Sequence, residues 1–206
     1  MTTLKFHRWN AIFLGAFISL HFITHLSGVF GVDAYNKMQD LFRLVYRNSV
    51  VEPVLLSSFV LQIFWGILLL ARRIHRGVRG RWAWGQVLSG GIFLLFISQH
   101  LIALVLARWA GDMDTNFYWP ASVMSGYPSI WYFFPYYFLG VLSLFFHLGC
   151  AVRLVLMRRN YRQHAQFGFW TLTWAGVVIA IVINATLMGA FFEIELPQEW
   201  TIYRRE

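Results

Sequence analysis

The sequence predicts an all-α fold, an integral membrane bundle of five transmembrane helices, and three observations carry that expectation. Hydrophobic residues make up 58% of the 206 positions and charged residues 13%, with a mean hydropathy of +0.55. A soluble domain of this length could not bury so much apolar surface. Five apolar stretches, at about 10–31, 53–71, 84–107, 130–156 and 168–192, each reach the ~20 residues that a helix needs to cross a bilayer. Finally, acids and arginines segregate to alternate connections. Residues 1–206 read as a single transmembrane domain, with no soluble domain, low-complexity tract or internal repeat.

Lys5 and Arg8 lead into the first span, which is long enough to cross and lacks the small-residue pattern of a cleaved signal. Asp33, Asp40 and Glu52 follow it. Arg72, Arg73, Arg76, Arg79 and Arg81 fill the connection between the second and third spans, and Asp112 and Asp114 follow the third. Arg153, Arg158, Arg159 and Arg162 border the connection between the fourth and fifth spans, and Glu193, Glu195 and Glu199 follow the fifth. Basic connections mark the cytoplasmic side, so the N-terminus is expected in the cytoplasm and the C-terminus outside, in a multi-pass protein of the inner (cytoplasmic) membrane. The same distribution explains the net charge of +8 without nucleic acid, since no basic helix or aromatic-basic motif stands apart from these flanks.

Between the first two spans, Tyr35, Met38, Leu41, Phe42, Val45 and Tyr46 recur at three- and four-residue steps, separated by Lys37, Asp40, Arg43 and Arg47. That pattern predicts an amphipathic helix over about 33–50, lying on the outer surface. Pro53 suits the start of the second span. Trp82, Trp84, Trp109, Trp119, Trp131 and Trp200 fall near span ends, where interface anchors sit. Cys150 is the single cysteine; it leaves no disulfide framework and no covalent haem-attachment motif, and reads as a small apolar helix residue. Asn184 and Gln86 read as polar contacts between helices.

Four histidines, His21, His25, His100 and His147, lie inside apolar spans. An ionisable group in a bilayer is costly and marks a functional site. His100 lies 19 residues beyond Arg81, and His21 and His25 lie 13 and 17 beyond Arg8; at ~1.5 Å per residue all three reach the outer half at comparable depth. His147, six residues before Arg153, falls in the inner half. Two facing imidazoles at one depth make an axial pair for a flat macrocycle. The outer pair is complete, whereas the inner level holds one histidine.

Four stretches, GAFISLH (15–21) with GVDAYN (31–36), LQIFWG (61–66), QVLSGGIFLLFISQH (86–100) and GVLSLFFHLG (140–149), together resemble the five-helix, di-haem cytochrome b membrane anchor of succinate dehydrogenases and fumarate reductases. The resemblance spans most of residues 5–155. It implies haem b on the outer side between His21 and His100. It also implies a second, inner haem with His147 as one ligand and Gln62 at the other ligand's position. Glutamine binds haem iron poorly, which leaves the inner haem absent, five-coordinate or otherwise ligated. Spacing to GVDAYN favours His21 as the first-helix ligand and depth favours His25; His21 is preferred, with His25 one turn outward near a propionate or a quinone.

The resemblance further implies a role in the respiratory chain and tricarboxylic acid cycle. The partners would be a soluble flavoprotein subunit, an iron–sulfur subunit, membrane lipid and a quinone, menaquinone in type, in a complex able to repeat as a homo-oligomer. The chain alone would then be non-catalytic, an electron-transport subunit of an oxidoreductase. Asp33, Tyr35 and His25 are the candidate outer quinone residues, and Gln62 with His147 the rival inner set. The inner arginines would meet haem propionates or an acidic partner, or serve topology alone. Competing expectations are a cytochrome b of another membrane oxidoreductase such as a hydrogenase, and a haem-free quinone-binding anchor. A small transporter is a poorer fit, because no acid lies at any span's centre.

Overall fold

A computed structural model describes residues 3–203. Seven α-helices form the fold, and there is no strand among the described residues. They are α1 (Thr3–Ser27), α2 (Val32–Tyr46), α3 (Val51–His75), α4 (Arg81–Val105), α5 (Tyr118–Met124), α6 (Ile130–Arg158) and α7 (Arg162–Leu187). Five segments, Thr3–Phe30, Val51–His75, Arg81–Ala110, Ile130–Arg158 and Arg162–Leu187, are long and apolar enough to cross a membrane. Large apolar side chains stand exposed along all five, including Ile12, Ile67, Leu95, Leu139 and Trp174. An apolar surface of that extent suits lipid rather than water.

The helices run past the apolar stretches that announce them. In α3 the extension carries Arg72, Arg73 and His75 into the last turn, where cations oppose the negative end of the helix dipole. The expected fifth span, by contrast, stops five residues early. Gly189 adopts φ 78° and its N–H donates to the Thr186 carbonyl at 3.1 Å, a helix stop that glycine makes cheaply. The short helix α5, placed between α4 and α6, has no counterpart in the expected element order.

Neighbouring long helices are antiparallel. Thr3 meets Arg72, Glu52 meets Arg108, and Trp82 of α4 lies beneath the Arg153 guanidinium of α6, 3.7 Å from the ring centre, and against Phe169 of α7. The arginine-rich connections therefore share one end of the bundle, and α2 and α5 cover the other. α6 packs most extensively, against α7 and α4, while α1 and α3 make lighter contacts. Glycines set the close approaches: a Cβ on Gly149 would lie 3.1 Å from the Phe169 carbonyl oxygen.

Several side chains differ from expectation. The buried line of α2 is Tyr35 and Gln39, continued by half-buried Arg43 and Tyr46, while Leu41 and Val45 are exposed. The inward face thus keeps Tyr35 and Tyr46 of the expected stripe but adds Gln39 and Arg43 to it, while Leu41 and Val45 fall outside. Trp84, Trp109 and Trp131 are exposed as anchors would be, whereas Trp200 is buried and Trp82 is packed. Asn184 does not join two helices: its amide donates to the Ala180 carbonyl of its own helix. Cys150 is buried as a small core residue.

Candidate functional site

Under α2 the bundle opens into a cavity whose empty space, counted out through its open side, is about 1460 Å³. Phe17 and Ile18 of α1, Phe59 of α3, Phe93 and Ile97 of α4 and Leu144 of α6 form its apolar walls. His21, His25 and His100 all line it, as does Tyr35.

The His21 and His100 rings lie 6.1 Å apart between centroids, with planes at 67°. One metal ion between two imidazole nitrogens at about 2 Å each, with ~1.1 Å from nitrogen to the centre of a ring built from ~1.33 Å bonds, places the centroids about 6 Å apart. The centroid spacing is compatible with two imidazoles on one metal ion. No cluster of three or more His, Cys, Asp or Glu side chains suited to a metal ion occurs among the described residues.

Each ring is held by its surroundings. Phe96, one turn before His100, stacks on it at 5.5 Å and 16°. Phe96 in turn fits against Gly140, where a Cβ would overlap its ring, and packs 4.7 Å from the Tyr136 ring. Trp119 of α5 lies 6.2 Å from His100. His21 packs on Phe17 at 5.7 Å. His25 stands edge-on to His21 at 4.6 Å and to Tyr35 at 5.3 Å. Burial raises the Tyr35 hydroxyl above its ordinary range, with Tyr46 adding to the effect and Arg43 opposing it, so this hydroxyl keeps its proton at neutral pH. Asp33 is exposed in the first turn of α2. Of the three candidate outer quinone residues, Tyr35 and His25 thus meet at the cavity and Asp33 lies on the outer face of α2.

The residues of the inner set lie nearer the arginine-rich end. His147 packs against Gly90, where a Cβ would come within 2.9 Å of its Cε1, and its Nδ1 lies 3.2 Å from the Gln86 carbonyl. If that nitrogen donates, Nε2 is left unprotonated, the arrangement a ligating histidine requires. Gln62 has both ends of its amide engaged: Oε1 accepts from Asn10 at 2.8 Å, and Nε2 lies 3.1 Å from His7 Nε2. Asn10 also donates to the Ser58 carbonyl at 2.9 Å.

His7 and Asn10 are polar residues that the span pattern passes over, because they fall just before and at the start of the first apolar stretch. Their three-residue spacing, which puts them on one helix face, is the signal that could have found them. Replacing Gln62 by leucine removes both contacts, leaving Asn10 only the Ser58 carbonyl. A loss of about 0.6–1.7 kcal/mol of stability is expected, the range for hydrogen bonds between membrane helices, and thermal unfolding in lipid or detergent measures it.

Comparison with protein-family models, with curated proteins and with solved structures gave no match.

Proposed function

We propose that this chain is the membrane-anchoring cytochrome b subunit of a succinate:quinone oxidoreductase or fumarate reductase. It would carry electrons between a soluble iron–sulfur subunit, itself paired with a flavoprotein, and a membrane quinone. One observation carries the reading: His21 and His100, from two separate helices, face one large apolar cavity at the spacing of an axial pair.

Haem b held there would supply reversible one-electron transfer. The chain's own part is to fix the site and its surroundings. Phe96 and Phe17 hold the two imidazole planes, and Phe59, Phe93 and Leu144 keep water from the centre of the cavity. Tyr35 and His25 stand where a quinone headgroup could approach, and the protonated Tyr35 hydroxyl is a donor for a quinone carbonyl oxygen. In this reading the arginine-rich end faces the cytoplasm and the soluble partners, and α2 lies on the outer surface.

The test is a dithionite-reduced minus oxidised spectrum of the purified chain or complex, with haem quantified as the pyridine haemochrome. A b-type spectrum with one haem per chain at the His21–His100 level is the expected result, and two per chain would add the inner site at His147. A preparation with folded helices and no haem would overturn the electron-carrier reading. The five apolar helices would stand regardless.

A further inference from the structure

Three guanidinium groups at the α2 end of the cavity take no part in the imidazole pair. Arg43 and Arg47 come from the end of α2, and Arg108 from a widened π-type turn that closes α4. All three line the cavity, with Glu52 as the one carboxylate among the lining residues. The side chains of Arg43 and Arg108 are only 14% and 15% exposed. Glu52 pairs with Arg108. Asp114 reaches Arg43 at 2.9 Å and Arg47 at 3.7 Å, but it is 55% exposed, and Asp40 meets Arg43 at 3.4 Å while 71% exposed. These two acids approach from the solvent side, where screening weakens them.

Along the wall itself, three positive charges therefore face one negative charge. The imbalance leaves traces. Arg108 Nε is buried without a partner, and burial, followed by the nearby Arg108 and Arg43 charges and opposed by Asp114 and Glu52, holds Arg47 below the ordinary arginine range. Cations in a half-buried wall whose acids lie mostly toward solvent are costly unless a further anion completes them.

We infer that this rim is a carboxylate-binding end of the cavity, whose arginines would take the two propionates of the haem, with Phe59, Phe93 and Leu144 supplying apolar wall elsewhere. The inference rests on the haem reading. Arg108 follows His100 by eight residues, ~12 Å of helix rise, a span that an arginine side chain and a propionate arm cover between them. Glu52 acts as an internal substitute: it holds Arg108 while no ligand carboxylate does, and it competes with one that arrives.

The test uses the full-length chain, produced in haem-depleted cells, placed in lipid nanodiscs and titrated with protohaem or with its dimethyl ester, which lacks the carboxylates. The wild-type chain is expected to prefer protohaem by about tenfold or more, the size of one charge-assisted hydrogen bond. Arg43→Gln with Arg47→Gln loses most of that preference, whereas Glu52→Gln alone binds protohaem more tightly. The pair Arg108→Gln with Glu52→Gln removes both members of the ion pair, leaves no orphaned charge to disturb folding, and also lowers the preference. Equal affinity for the two porphyrins in the wild type, or an unchanged preference in the arginine variants, overturns the inference and leaves the haem reading intact. Failure of both porphyrins to give an imidazole-ligated spectrum overturns the haem reading itself.

Discussion

Under the proposed function, a chain carrying His100→Ala is expected to fold and to lose haem absorbance. Changes to the groups that merely orient a metal ligand weaken binding by about 10–100-fold, so removal of the ligand itself should exceed ~100-fold and leave background absorbance at any practical haem concentration. The substitution empties space in a cavity that is already open, so the cost to packing is small and the loss is specific. His147→Ala is the matched control: it removes an intramembrane imidazole of the same size and is expected to leave the His21–His100 haem in place.

His21→Ala should behave like His100→Ala. His25→Ala is expected to keep the haem while altering its surroundings, since His25 stands edge-on to both His21 and Tyr35. Because the His21 and His100 planes lie 67° apart, the oxidised protein should give the strongly anisotropic low-spin electron-spin resonance signal of crossed imidazoles. Retention of an unaltered b-type spectrum by His100→Ala would end the assignment of this pair.

The outline of the fold was legible because a bilayer demands long uninterrupted apolar runs, and all five appear where such runs occur. Their ends were less legible: whether α1 begins at Thr3 or near residue 10 depends on how Asn10 and His7 are satisfied by Gln62, a partner from another helix. The convergence of His21, His25 and His100 on one cavity was legible because histidines inside apolar spans are few and their positions along the helices can be counted from flanking arginines.

The rim of the cavity was not legible. Arg43 and Arg47 alternate with apolar residues as solvent-facing positions of a surface helix do, and only the tertiary placement of α2 turns Gln39 and Arg43 toward the interior. Arg108 reads as an ordinary flanking arginine until the π-type turn and Glu52 give it a direction. In each case the deciding contact joins residues far apart in sequence, which no local period encodes.

The second large effect is expected at Gly140, which no count of polar residues would single out. A Cβ built there overlaps the Phe96 ring, and Phe96 has little freedom to withdraw, being packed against Tyr136 on one side and stacked on His100 on the other. Overpacking of this kind costs about 1–3 kcal/mol, so Gly140→Ala should lower thermal stability by that amount. Because the displaced ring is the one that holds His100, the same substitution should also shift the haem's reduction potential and its spin-resonance signal, which a purely structural defect elsewhere in α6 would not do. Combining it with Phe96→Leu removes the overlap and is expected to recover much of the stability while leaving His100 less firmly oriented. The stability part is then non-additive, as expected for residues in contact, and the spectroscopic change persists. Gly140→Ala with unchanged stability and an unchanged signal would show that the Phe96 ring does not control the His100 plane, and that orientation of the axial pair must come from Trp119 and the cavity ligand instead.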